Sequence, residues 1–291
     1  MSRVFYCLAL TILGPSLARA DGGLAEILRE TRWISFAPTT YEPNRSPAVL
    51  PSDDSLRLDL ATLRSAGFTG LITYGTDVQA VPRIAEALGF QHMVLGIWDP
   101  FNARELEAAV KAVRSHDRLI TGVIVGNEGL LNGRYTVDEI CAVMGRVRKM
   151  TGKPVSTTEP VDLILSEPKI AQCSTFVTVN AHPFFSNQKR PPEAVQWTLE
   201  AWAAVRGQYP ERPILFKEVG LPTSGDVGMS ETAQNDYYVR LARTAVLFSY
   251  FEAFDARFKD GPIEQSWGLW HSDRTPKLIV RFLPWRKEDR Q

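Results

Sequence analysis

Strand-like and helix-like segments alternate eight times along this chain, and that rhythm limits the fold more than any other feature. Apolar, β-rich runs fall at residues 33–36, 69–74, 92–98, 119–125, 154–157, 175–180, 213–216 and 250–254. Between them, apolar residues recur every three or four positions, as in Leu56, Leu60 and Leu63, or Val195, Leu199, Trp202 and Val205. Such spacing lays one helix face against a sheet. Start and stop signals agree: Ser52 or Asp53 before the first of these helices and Gly67 after it, Asn102 followed by Glu105, and Thr136 with Glu139 as a capping box. A long helix over 230–248 and a closing helix over 277–282 are also expected. Eight strand–helix units over roughly 250 residues are what a single (β/α)8 barrel requires. An open, doubly wound sheet would need a glycine-rich turn after its first strand, where this chain has Phe36-Ala37-Pro38-Thr39. The expected fold is α/β, one barrel domain over residues 21–291.

The first twenty residues stand apart. Arg3 precedes an apolar run at 4–13, Gly14-Pro15 breaks it, and Ala18-Arg19-Ala20 has the small-x-small form of a cleavage site. The run is too short to span a bilayer comfortably. A signal peptide over 1–20 is expected, with export to a periplasmic or extracellular space and no membrane association afterwards. Basic and acidic residues balance at 33 each without a basic run, so nucleic acid is not an expected partner. Cys141 and Cys173 can pair in an oxidising compartment, but sequence gives no geometry for it, and the favoured expectation is two buried free thiols on a helix and a connector. No Cys-x-x-Cys, His-x-His or His/Cys cluster is present, so no metal or cofactor is expected, and the chain is expected to be a monomer.

In such a barrel the C-terminal ends of all strands face one site. Read in order, those ends offer Tyr74, Trp98-Asp99, Asn127-Glu128, Glu159, His182, Glu218 and Glu252, whereas the opposite ends supply almost nothing ionisable. Aromatic residues Trp98, Phe184, Phe185, Trp267 and Trp270 lie close by in sequence. Rings that pack on C–H faces, with amides and carboxylates that bond hydroxyls, suit a saccharide. Two carboxylates from strands four and seven would stand across the mouth, as glycosidic cleavage needs. Asn127-Glu128 by itself is equally readable as a turn with a solvated glutamate, and Glu159 before a proline as an anchor for a loop.

The ordered set of motifs resembles glycoside hydrolase family 17, the β-1,3-glucanase-like group of retaining barrel glycosidases. The matching pieces are ITYGT (72–76), VGNEGLL (125–131), VSTTEP (155–160), NAHPFF (180–185), KEVGLPTSG (217–225), YFEAFDARFK (250–259) and EQSWGLWHSDRTPK (264–277). The resemblance implies Glu128 as general acid/base and Glu218 as nucleophile. It implies substrate binding by Tyr74, Asn127, Glu252, Lys259 and Glu264, with Glu159, His182 and the ring of Trp267 as further candidates. Where the group usually has Gly-Trp-Pro after the nucleophile this chain has Gly220-Leu221-Pro222. An arginine frequent before Tyr-Gly is Thr73, and a glutamate frequent in strand eight is Ala256.

The activity implied is hydrolysis of β-1,3-glucan or a related β-glucan by double displacement, with a β-glucan as the partner. A glucan transglycosylase on the same site and a non-catalytic glucan-binding barrel are the rivals.

Overall fold

The computed structural model describes residues 17–283 of the 291. The apolar run at 4–13, read above as the core of a signal peptide, lies outside the described residues. Eight strands form a closed parallel barrel in sequence order: β1 (Trp33–Ser35), β2 (Gly70–Ile72), β3 (His92–Ile97), β4 (Ile120–Asn127), β5 (Val155–Pro160), β6 (Val177–Asn180), β7 (Ile214–Val219) and β8 (Phe248–Tyr250). Closure is made by β8 on β1, with Trp33 opposite Ser249 and Ile34 opposite Tyr250. The expected (β/α)8 barrel is the observed fold.

Ten helices accompany the strands among the described residues: α1 (Leu17–Glu30), α2 (Asp53–Ser65), α3 (Val81–Ala87), α4 (Ala103–Ser115), α5 (Val137–Thr151), α6 (Val161–Ser166), α7 (Pro168–Cys173), α8 (Pro191–Gln208), α9 (Glu231–Leu241) and α10 (Gly261–Glu264). The read caps are in place. Ser52 Oγ accepts from Ser55 N, and Thr136 and Glu139 form the reciprocal capping box. Leu56, Leu60, Leu63, Val113, Ile140 and Val147 are buried in the layer between helices and sheet. A second cluster fills the other end of the barrel. There Leu24 and Leu28 of α1 pack with Trp33, Ile72, Val94, Ile124, Phe176 and Leu215, and the Trp33 indole N–H donates to Leu28 O at 3.2 Å. α1 is thus a plug opposite the strand C-termini.

Several boundaries differ from the sequence reading. β5 and β7 run on through Glu159 and Glu218 because their polar ends find hydrogen-bond partners, and register shifts in the neighbouring pairings accommodate the bend. The segment between β5 and β6 forms two helices, α6 and α7, divided at Glu167, whose backbone leaves the helical region (φ −116°, ψ 70°) ahead of Pro168, as proline disfavours helix in the residue before it. α9 stops at Leu241, and Leu247 O then accepts from Phe216 N at 2.9 Å, so the sheet has taken the β-prone end of the expected long helix. The closing helix is one short 3-10 segment, Leu278–Phe282.

The expectation for the cysteines was wrong. Cys141 on α5 and Cys173 at the end of α7 form a disulfide, their Cα atoms 5.5 Å apart. α5 and α7 pack side by side against the sheet, and that contact brings together two residues 32 apart in sequence. No periodicity of either helix alone reveals it.

Candidate active site

β4 ends in Gly126-Asn127-Glu128-Gly129, and each residue has a separate physical reason. A Cβ on Gly126 would lie 2.3 Å from the Tyr135 hydroxyl, and one on Gly129 would lie 2.0 Å from its ring. The glycines therefore let the strand end close on Tyr135. Glu128 adopts φ +51°, a left-handed conformation uncommon for a residue with a side chain, and its N–H donates to Thr158 O at 2.9 Å. The segment beyond it is held by Glu159, which is fully buried and accepts from Leu130 N at 2.9 Å and Leu131 N at 3.2 Å. Burial raises the Glu159 carboxyl, with Glu128 adding to the effect, while those two N–H groups and Tyr135 oppose it. Its oxygens are spent on the backbone of this loop, so Glu159 shapes the site from behind and does not line it.

Glu218, 4% exposed near the end of β7, faces the same cleft as Glu128. One of its oxygens receives a short hydrogen bond from Lys217 Nζ, and the other lies 3.0 Å from His182 Nε2. Burial alone would raise its pKa, but the Lys217 charge and the His182 contact outweigh that and hold the carboxyl at about 2. Between the two glutamates the polar groups form a continuous chain. Asn180 Nδ2 donates to Glu128 Oε1 at 2.8 Å and to Asn127 Oδ1 at 3.2 Å, and Lys217 Nζ donates to Asn127 Oδ1 at 2.6 Å. With its oxygen already accepting twice, Asn127 has its N–H donors left to offer a ligand.

The other residues singled out from sequence are spread around one cleft of about 1340 Å³. Tyr74 lines it from the end of β2, its ring under Lys217 Nζ at 4.2 Å. Burial pushes the Tyr74 phenol well above its usual range, with the charges of Glu218 and Glu252 adding to the effect. Glu252, 1% exposed, is paired at 2.7 Å with Lys259, and both face the cleft, as does Glu264 on α10. Burial raises the Glu252 carboxyl and Lys259 opposes it. His182 lines the cleft too, boxed by the rings of Phe251, Trp267 and Phe185 at 5.0, 5.1 and 5.8 Å.

Trp267 is placed differently from expectation. It is 0% exposed, packed beneath His182, Phe184, Phe185 and Phe251, so it forms a floor rather than an open platform. Among the rings lining the cleft, the most open are Phe185, 63% exposed, and Trp98, 47% exposed with the Arg134 guanidinium over it at 4.9 Å.

Two participants went unassigned in the sequence. Asn180 ends β6 and could have been found by the same strand-end rule that drew attention to Asn127. Lys217 gave a weaker signal, a lysine inside a strand otherwise built for burial. Glu105, read as a partner for the Asn102 cap, instead accepts from Trp98 N at 2.6 Å and Asp99 N at 2.9 Å, and so fixes the cleft edge at β3.

A closed (β/α)8 barrel with two glutamates from β4 and β7, joined through amides in an aromatic-edged cleft, has the architecture of a barrel glycosidase. The model of the BtgE/BtgC glycoside hydrolase domain matches residues 39–268, and the chain belongs to that family. Among its relatives, the cell surface mannoprotein MP65 of Candida albicans is 27% identical over 79% of this chain and 65% of its own length. The probable β-glucosidase btgE of Aspergillus terreus is 26% identical over 79% of this chain and 44% of its own. The probable family 17 glucosidase SCW10 of Saccharomyces cerevisiae is 26% identical over 80% and 64%, in keeping with the family resemblance read from the motifs. The chain thus spans roughly half to two thirds of these relatives. The family 17 β-1,3-glucanosyltransferase of Rhizomucor miehei has the same fold, with a TM-score of 0.71 at 21% identity over 86% of this chain and 96% of that one.

Proposed function

We propose that this protein is a retaining glycoside hydrolase acting on β-1,3-glucan or a related β-glucan, with Glu218 as nucleophile and Glu128 as acid/base. The observation that carries the reading is the unbroken chain Glu128–Asn180–Asn127–Lys217–Glu218, which sets two carboxylates of different surroundings on one cleft. Glu218, kept ionised, attacks the anomeric carbon. The bond from that carbon to the leaving sugar oxygen breaks, and Glu128 gives that oxygen its proton. A glycosyl ester on Glu218 and a carboxylate on Glu128 remain. Water then passes a proton to Glu128 and its oxygen to the anomeric carbon, while the ester electrons return to Glu218. Asn127 offers its N–H donors to the hydroxyl beside the reacting carbon. Tyr74, Glu252, Lys259 and Glu264 supply further polar contacts, and Phe185 and Trp98 offer faces to the sugars.

Linkage and substrate follow the family and the activities for which its relatives are named. Export through residues 1–20 is part of the same reading. The Cys141–Cys173 disulfide supports it, since such bonds persist in oxidising compartments. Transfer to a sugar acceptor is the second reading, favoured by the exposure of Phe185 within the cleft.

Incubation with laminari-oligosaccharides tests the activity, its stereochemistry and the two residue roles. Shorter products with the first-formed anomer retained by NMR are expected, and Glu218→Ala and Glu128→Ala should each lose at least about 10²-fold in kcat/KM. Products longer than the substrate would mean transfer. An inverted first product, or Glu218→Ala with near-full activity, would refute the assignment, and binding without turnover would leave a glucan-binding barrel.

A further inference from the structure

Lys217 is 1% exposed, and an ammonium is costly to bury unless its surroundings repay the lost water. Here its neighbours do so closely. Its Nζ donates to Glu218 Oε1 and to Asn127 Oδ1, and it sits over the face of Tyr74. Two donors and the charge are thus committed to protein groups, so Lys217 acts through those groups rather than on a substrate. The remaining charged or titratable neighbours are Glu128 from β4, His182 just after β6, and Glu252 with Lys259 from the segment after β8. Of these, His182 holds the second oxygen of Glu218, and its Nδ1 is buried without a partner among the described residues. Burial lowers the Lys217 ammonium from its usual range, and the charges of Glu218 and Glu128 oppose that, so the lysine is held as the cation in direct contact with Glu218 by the carboxylates around it.

We propose that Lys217 is a positioning residue, the built-in counter-ion that keeps the Glu218 carboxylate charged and aimed while tying it through Asn127 to the Glu128 side of the cleft. The proposal rests on the assignment of Glu218 as nucleophile for its role in turnover, though not for the contact itself. Once Glu218 is esterified, the negative charge in the site belongs to Glu128, and the same ammonium is within electrostatic reach of it.

Titration of glutamate side-chain carboxyls by 13C NMR between pH 4 and 7 tests this without a substrate, Glu218 being assigned by its loss in Glu218→Gln. In the native protein the Glu218 signal should stay that of a carboxylate throughout. In Lys217→Met it should titrate inside the window, its midpoint about two pH units or more above the native one. Lys217→Gln, which keeps a hydrogen bond and most of the volume but no charge, should behave the same way and serves if the Met variant does not fold. A Glu218 signal that titrates between pH 4 and 7 in the native protein overturns the proposal. So does one that stays ionised down to pH 4 in a folded uncharged variant. With laminari-oligosaccharides, the acid limb of kcat/KM should move up with the carboxyl midpoint, which a purely structural role for Lys217 would not produce. Absence of native turnover would refute the β-glucan reading and leave the carboxyl titration as it stands.

Discussion

Glu128 is held at a backbone angle that few side-chain-bearing residues adopt, and its neighbours are what make that tolerable. Gly126, at φ +78°, opens the turn, Gly129 leaves room for Tyr135, and Glu159 gathers the following N–H groups. Such local strain costs of order 1–3 kcal/mol and persists only when the surroundings enforce it. Gly126→Ala should therefore lose at least ~1–3 kcal/mol in denaturant unfolding, since the added methyl meets both a left-handed φ and the Tyr135 hydroxyl. Glu159→Ala leaves the N–H groups of Leu130 and Leu131 without their acceptor, at about 1–3 kcal/mol, and releases the loop behind Glu128. Its kcat should fall more than its KM rises, because Glu159 touches the loop and not the ligand. A Glu159→Ala protein of native stability and activity would contradict this account.

At the level of elements, α5 and α7 are joined by the Cys141–Cys173 bridge, which closes a loop of 32 residues. A loop of that length should contribute about 2–4 kcal/mol, mainly by restricting the unfolded chain. Cys141→Ser and the reduced native protein should then lose similar amounts in urea, measured with and without reductant. Equal stability of the oxidised and reduced forms would show that the bridge does little. The strands, helices and caps were readable because they rest on local patterns: the leucine spacing of α2, the Thr136–Glu139 box, the glycine at position 67. The bridge was not, because it depends on how two helices settle against the sheet. Trp267 and Lys217 teach the same lesson from opposite sides. A motif tryptophan proved to be buried floor, and an overlooked lysine sits between the carboxylates. In each case the deciding contacts come from distant segments, His182 and Phe251 for the one, Asn127 and Tyr74 for the other. The strand-end rule gathered Glu128, Glu218, Asn127 and Tyr74 into one cleft because barrel topology, unlike side-chain packing, follows from chain order.

For the whole molecule, α1 plugs the far end of the barrel with Leu24 and Leu28, while the cleft lined by Glu128 and Glu218 sits at the strand C-termini. A chain beginning at Asp21, as the read cleavage site would leave it, keeps both leucines. One beginning at Arg32 loses them and exposes the cluster around Trp33, Ile124 and Leu215. Thermal unfolding should find the first within about 1 kcal/mol of the longer chain. The second should be destabilised by at least ~4 kcal/mol, two leucine-to-alanine equivalents at the lower end, or should fail to fold. If the shorter chain melts like the longer one, the plug is dispensable.

Pairing of β8 with β1 joins residues more than two hundred positions apart, and the plug of α1 waits on Leu215 of β7. Neither contact can form until nearly the whole chain is available, so a nascent chain carries an open strand edge and an uncovered leucine face for most of its synthesis. Ring closure is the slow, long-range event that such topology imposes on folding. A chain crossing a membrane in the unfolded state before its last strands meet the first would be spared premature pairing on the wrong side. The geometry that brings Glu128 and Glu218 to one mouth also delays the appearance of any active site until the ring is complete.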